Sequence, residues 1–302
     1  MTIVLCLNYG DKIYVATDSQ MTKRAHSGRL FPAGYRLKLY AVPNLNAVVA
    51  FAGTMVTARL VLERIAEYAE NEQPTEEALF EKLPSTIRST MNSLEADLQQ
   101  DIDLVFAGLT PGSKAYTQEK YLGIGVPPRA FCGVFSWKKA GEEHVKTRLG
   151  SAIHVPSGSG SKVVASNPRM LMDIFVAGSG AGVPDDTSRI APTSRHFHYY
   201  YELRHYPPEF VMQTMGNTLD GFFNDLPVEV SGIGGEYQVA LVTEQGIDWR
   251  ISIPDEPFKP VKIEFKDGAH VVTDLETGQS NVIQTIWDNR PPYEIKELGY
   301  LL

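Results

Sequence analysis

Residues 2–18 read TIVLCLNYGDKIYVATD. Thr2–Asn8 is β-branched and apolar, Tyr9-Gly10-Asp11 carries turn formers, and Ile13–Asp18 is apolar again, so the stretch spells an antiparallel hairpin. Such a hairpin brings the end of its second arm back beside the start of its first. Asp18, sixteen residues after Thr2, therefore falls near the beginning of the chain.

The pattern continues outward. A polar, Gly-containing segment from about Ser19 to Tyr35 reads as a loop, and a second hairpin follows: RLKLYAV, a Pro43-Asn44-Leu45-Asn46 turn, then AVVAFAG ending at Gly53. Gly53 and Thr54 open a helix with apolar positions Val56, Leu60, Val61, Ile65 and Tyr68. A second helix starts at Pro74-Thr75-Glu76-Glu77, where Thr75 can cap and the acids suit the positive helix end. Pro84 is expected to break or kink it before the pattern resumes to about Gln100. Further strands are expected at Ala130–Trp137, at His144–Val155 and over MLMDIFVAG, which ends at Gly178. Residues 181–207 read as irregular, with an aromatic cluster at Phe197–Tyr201, and a helix runs from Pro207 to about Phe223. EYQVALVT and IDWRI then form a last hairpin across Glu244-Gln245-Gly246. Strands followed by paired helices suggest a sheet under a helical layer.

Composition narrows the function. The 302 residues are 43% hydrophobic and 21% charged, which is ordinary for a globular chain. A net charge of -8 argues against nucleic acid or an anionic membrane as main partner. No apolar run is long enough to span a bilayer, and the N-terminus lacks the basic-then-apolar pattern of a signal peptide. Cys6 and Cys132 sit in apolar runs and read as buried free thiols, which fits a reducing compartment. A cytoplasmic location is the expectation.

Thr2 carries the chemistry. It is small enough for removal of Met1, which would leave its hydroxyl beside its own α-amine, the base that a weak nucleophile needs. Lys38, between Leu37 and Leu39, requires a partner if buried, and Asp18 is the candidate. The positive field of the Lys38 ammonium lowers the pKa of the amine and favours the alkoxide. Gly53 lies at a strand-to-helix junction, where a backbone N–H can meet an oxyanion. Other chemistries lack their patterns. Gly178-x-Gly180-x-Gly182 is followed by Pro184 and two acids, so no helix N-terminus opens there for phosphate. Neither Ser159 nor Ser179 sits in a Gly-x-Ser-x-Gly elbow, and the seven histidines show no metal-ligand spacing. No cofactor and no metal are expected.

The set Thr2-Ile3-Val4, Ala16-Thr17-Asp18-Ser19-Gln20, Leu37-Lys38-Leu39-Tyr40 and Ala50-Phe51-Ala52-Gly53-Thr54 resembles the proteasome β-subunit family, above all its bacterial, ATPase-partnered branch. The resemblance implies an α+β, four-layer αββα sandwich of two antiparallel sheets over residues 1–252; residues 253–302, Pro-rich at first and then hairpin-like around Lys266-Asp267-Gly268, read as a β-rich C-terminal appendage. It implies Thr2 as nucleophile, Asp18 and Lys38 as its charge relay and Gly53 as oxyanion donor. The family's Gly-Ser-Gly serine, which hydrogen-bonds the threonine, matches Ser179 within IFVAGSG, with Ser159 in Gly158-Ser159-Gly160 as the rival. Where many members carry an aspartate and a serine before a Gly-Gly pair, this chain has Val230 and Ile233, with Ser231 nearby. Residues 100–130, 181–206 and 253–302 have no counterpart.

The function so implied is a threonine-type peptidase or amidohydrolase acting on peptide or protein, self-compartmentalised in a homo-oligomer of six or more copies. Phe197–Tyr201 and the region after Pro254 lack an evident place in the core and are the expected interface. The sequence identifies no ATPase partner. The competing readings are a ring-forming scaffold without activity and a small-molecule amidase of the same superfamily.

Overall fold

The computed structural model describes residues 2–24, 30–35, 38–110, 129–138, 141–148, 151–155, 163–167, 172–178, 200–225, 237–252, 259–266 and 269–283. The opening hairpin forms as read, with β1 (Ile3–Asn8) antiparallel to β2 (Lys12–Asp18) and Val4 opposite Thr17. The polar segment after it is not a loop throughout: β3 (Gln20–Arg24) and β4 (Leu30–Tyr35) pair as a separate two-stranded sheet. The second hairpin is β5 (Leu39–Ala41) with β6 (Ala47–Gly53).

Two helices follow. In α1 (Met55–Glu72) the buried face is Thr57, Ala58, Val61, Leu62, Ile65 and Ala69, whereas Val56 points to solvent. In α2 (Glu76–Ser93) the Thr75 hydroxyl caps the helix by accepting from the Ala78 N–H at 3.2 Å. Pro84 lies inside α2 without ending it, and the helix stops at Ser93, short of Gln100.

The next strand, β7 (Ile102–Thr110), was not foreseen, yet it is buried along almost its whole length and pairs with β6 on one side. On its other side lies β8 (Arg129–Lys138). The stretch expected as one strand over His144–Val155 is a hairpin, β9 (Gly141–Arg148) and β10 (Ser151–Val155). Then come β11 (Val163–Asn167) and β12 (Met172–Gly178), the helix α3 (Pro208–Asp225), and the hairpin β13 (Tyr237–Thr243) and β14 (Gly246–Ser252). Finally β15 (Lys259–Lys266), β16 (Ala269–Asp274) and β17 (Ser280–Ile283) continue the sheet beyond β14.

These strands make a nine-stranded sheet, β11-β12-β1-β2-β13-β14-β15-β16-β17, and a six-stranded sheet, β10-β9-β8-β7-β6-β5. Alternate residues of β1 and β2 go to opposite sides, as the strand period demands. Val4, Cys6, Ile13 and Val15 pack toward the six-stranded sheet. Ile3, Leu5, Leu7, Tyr14 and Ala16 pack with Val211, Met212, Met215 and Leu219 of α3. On the far side, Phe80 of α2 packs its ring against Phe106, Phe131 and Phe135 of β7 and β8. The layers are therefore α1/α2, sheet, sheet, α3: the four-layer αββα sandwich that the resemblance implied. Both cysteines are free and buried, one on each sheet, with their Sγ atoms 4.0 Å apart. Tyr200 is buried in the core beside α3, where its carbonyl accepts from the Tyr9 hydroxyl at 2.6 Å, so this part of the aromatic cluster has a place inside the chain.

Candidate active site

At one end of the sandwich the last residues of β2, β6 and β12 meet the start of β1. Thr2 is buried there at 4% exposure. Asp18 closes β2 and is fully buried, with both carboxylate oxygens engaged. Its Oδ1 accepts from the N–H of Ile3 at 3.1 Å, and its Oδ2 accepts from the Lys38 ammonium at 2.9 Å. One carboxylate thus ties the peptide that follows Thr2 to the lysine.

Lys38 immediately precedes β5 and is also fully buried. Its Nζ donates a second hydrogen bond to the Gln20 carbonyl at 2.6 Å. Because β2 belongs to one sheet and β5 to the other, the ion pair crosses the interior between them. Burial pushes Lys38 below its ordinary pKa, against the pull of Asp18. Burial likewise pushes Asp18 up, partly offset by the Lys38 charge and hydrogen bond and by the Ile3 N–H. Desolvation prevails at both groups, the usual outcome for ions taken out of water.

Gly178 and Ala52 close the arrangement from the other side. Gly178 pairs with Ile3 and has φ +87, and a Cβ on it would stand 2.1 Å from the Thr2 carbonyl oxygen and 2.9 Å from the Ala52 Cβ. The backbones of β1, β12 and β6 therefore converge on Thr2. Gly53, the next residue, has φ +121, and a Cβ there would meet the Asp101 carbonyl oxygen at 2.4 Å. It stands between β6 and α1, whose first turn holds no acidic residue, so the partial positive charge of that helix end is not cancelled locally. The Thr54 N–H reaches the Asp101 carbonyl at 3.4 Å, which fastens this turn to the chain just before β7.

Thr2, Asp18, Lys38 and the Gly53 turn are thus gathered at one end of the two sheets. Ser179 and Ser159 lie outside the described residues, as do Val230, Ser231 and Ile233. Sequence reasoning passed over Gln238, whose side-chain oxygen accepts from the Lys38 backbone N–H at 2.8 Å. The signal was present: Gln238 alternates with Ala240 and Val242 along an apolar strand, and a polar residue on such a face needs a partner. Among the described residues no group of three His, Cys, Asp or Glu could share a metal ion, and no helix is long and apolar enough to cross a membrane.

No protein-family model matches the chain, and no curated protein matches it. Among solved structures it is similar to Anbu (ancestral beta-subunit) from Yersinia bercovieri, with 14% identity over 81% of this chain and 82% of that one, at a TM-score of 0.44. It is also similar to the Anbu complex of Pseudomonas aeruginosa, described there as a helical assembly, with 11% identity over 84% and 88% of the two chains, at a TM-score of 0.48. Likenesses this remote say nothing about individual residues.

Proposed function

We propose that the chain is an N-terminal-nucleophile hydrolase of the threonine type that cleaves peptide or amide bonds once Met1 is removed. The observation that carries this reading is the Asp18 carboxylate, which holds the Ile3 N–H and the Lys38 ammonium at 3.1 and 2.9 Å. A fully buried ion pair is a poor stabilising device, and one placed beside the chain start has an evident use.

In the proposed reaction the Thr2 Oγ attacks the substrate carbonyl carbon and its proton passes to the Thr2 α-amine. Lys38 holds positive charge next to the developing alkoxide, and the Gly53 N–H receives the oxyanion. Collapse breaks the C–N bond, and the leaving amine takes the proton from the α-amine. Water, deprotonated by the same amine, then attacks the ester carbonyl; the Thr2 Oγ–C bond breaks, the acid product leaves, and the amine returns the proton to Oγ. Ser179 is assigned the hydrogen bond to Thr2. Residues 1–252 are taken as the hydrolase domain and 253–302 as its appendage. The substrate is a peptide or protein admitted to a self-associated assembly in the cytoplasm.

The test is intact mass after exposure to a peptidyl β-lactone, which acylates a threonine hydroxyl and adds its whole mass. Active protein should begin at Thr2 and gain one probe per chain. Thr2→Ala should gain none while remaining folded, and Thr2→Ser should react partially. Active protein that keeps Met1, or labelling of the alanine variant, would sink the mechanism. An assembled but unlabelled protein starting at Thr2 would favour a scaffold without activity.

A further inference from the structure

We propose that Gln238 is a positioning residue for Lys38: its side-chain carbonyl holds the lysine backbone so that the ammonium stands against Asp18. This rests on the hydrolase reading above.

The lysine has a weak mount of its own. It precedes β5, a strand of three residues at the edge of the six-stranded sheet, and its N–H comes before the paired residues of that strand begin. Two contacts fix its backbone. The Phe51 N–H donates to the Lys38 carbonyl at 3.0 Å, within the same sheet. The Lys38 N–H donates to Gln238 Oε1 at 2.8 Å, across to the other sheet.

Gln238 is mounted rigidly by comparison. It sits on β13, paired on one side with Thr17 of β2 and on the other with Ile251 of β14. Its face is the one that carries Ala240 and Val242 into the core between the sheets, and it is itself only 2% exposed. An amide in such a place is unfavourable unless its polar atoms are used. Its carbonyl is used on Lys38, the cationic half of the buried ion pair.

The register makes the placement specific. Asp18 pairs with Tyr237, so β13 locates the carboxylate through its backbone and, one residue later, the lysine through a side chain. Both halves of the ion pair are thereby referenced to one central strand. Without the Gln238 acceptor, the buried Lys38 N–H loses its partner and the edge residue is free to shift. The ammonium would then stand farther from Asp18, lose part of the attraction that keeps it charged, and deprotonate at lower pH.

The experiment follows acylation of Thr2 by the peptidyl β-lactone, in which the Thr2 Oγ–C bond forms, the lactone ring C–O bond breaks and the ring oxygen takes up the proton. Saturating rate and half-saturating probe concentration are measured from pH 6 to 10.5 for wild type, Gln238→Met and Gln238→Glu, with thermal denaturation alongside. Methionine keeps the length and removes the acceptor. Glutamate keeps the acceptor and adds negative charge.

Gln238→Met should lower the saturating rate by about tenfold or more, leave the half-saturating concentration within about twofold, and move the alkaline limb to lower pH. Gln238→Glu should keep most of the rate and move that limb to higher pH. A Gln238→Met enzyme with wild-type rate and limb overturns the proposal. So does a rate loss that tracks lowered thermal stability with the limb unmoved, which marks a merely structural role. If Gln238→Met does not fold, the Gln238→Glu profile decides, and a folded Glu variant with a collapsed rate or an unmoved limb counts against the proposal. Wild type that takes no label, or Thr2→Ala that labels equally, brings down the hydrolase reading itself, and the role of Gln238 with it.

Discussion

Gly178 carries the strictest steric demand at the site. It combines a positive φ with a Cβ direction blocked by the Thr2 carbonyl 2.1 Å away, so no rotamer can relieve a substitution there. Gly178→Ala should cost about 2 kcal/mol or more from the backbone conformation and the clash together. Thr2 would be displaced, and β-lactone labelling should fall on the order of 10²-fold, since small misplacements of reacting groups are that costly. Calorimetry with labelling kinetics checks both, and a stable, fully reactive alanine variant would show that Thr2 tolerates the shift. The Asp18–Lys38 pair makes a different demand. Burial raises Asp18 above 3.8, so the folded chain keeps that proton longer and stability falls as pH rises from 3.8 toward the folded value. Burial lowers Lys38 below 10.5, so the folded chain releases that proton earlier and stability rises as pH climbs from the folded value toward 10.5. Each shift disfavours the charge it acts on, so the pair is kept at a cost. Asp18→Asn and Lys38→Met should each destabilise by about 3–5 kcal/mol, because each strands one buried charge. The double variant should recover most of that loss in denaturant titrations, while all three lose labelling. A double variant as unstable as the sum of the singles would mean that the two side chains do not act as a pair, and one as unstable as either single would mean that the charged pair stabilises the fold.

Among the elements, α2 packs on the core through Leu79, Phe80, Leu83, Ile87 and Met91, with Phe80 at the centre of an aromatic cluster. Phe80 meets Phe106, Phe131 and Phe135 with ring centroids 5.6 to 5.8 Å apart, so the outer layer rests on an aromatic cluster at β7 and β8. Phe80→Ala should cost about 3–5 kcal/mol, seen as a lower denaturation midpoint, and labelling below that midpoint should be retained. A loss under 1 kcal/mol would mean that the layer repacks around the gap. The same strands show where sequence reading ran out. The β1–β2 hairpin was legible because turn formers separate two β-branched runs, and α3 because Pro207-Pro208-Glu209 marks its start. β7 was missed although IDLVFAGLT is a plain apolar run, because it was assigned to a region without a family counterpart and a covered strand shows no alternation. The β3–β4 pair was missed because β3 is polar and β4 is interrupted by Pro32 and Gly34. The inward face of α1 was misjudged by one position. Val56 and Ala58 both fit a helical period, and only the packing partner decides that Ala58 turns in. At the site, Thr2, Asp18, Lys38 and Gly53 could be named from local motifs; the apolar face around Gln238 signalled that it needs a partner, but not which one, because Lys38 lies 200 residues away.

On the scale of the whole molecule, the question is what covers the apolar surface left outside the two cores. Tyr206, two residues before α3, and Phe210, in its first turn, are 49% and 48% exposed and stack with ring centroids 4.9 Å apart. Single exposed apolar residues are ordinary, but two stacked aromatics on an outer helical layer form the kind of patch that marks an interface. Aromatic residues are also enriched among those that dominate association energies. On the hydrolase reading proposed above there is a further reason to assemble, since enclosure would keep folded proteins away from Thr2. The expected state is therefore a homo-oligomer of six or more copies, the number resting on the family resemblance. Sedimentation velocity at micromolar concentration should show one large species and little material at the 33.5 kDa of a single chain. Replacing both Tyr206 and Phe210 by Glu should shift that species to smaller sizes without unfolding the chain, because neither side chain belongs to the core beside α3. If the double variant keeps the full assembly, the interface lies elsewhere on the chain. If the wild type sediments as a monomer and still takes the β-lactone at Thr2, the enclosed-chamber reading is lost while the chemistry at Thr2 stands.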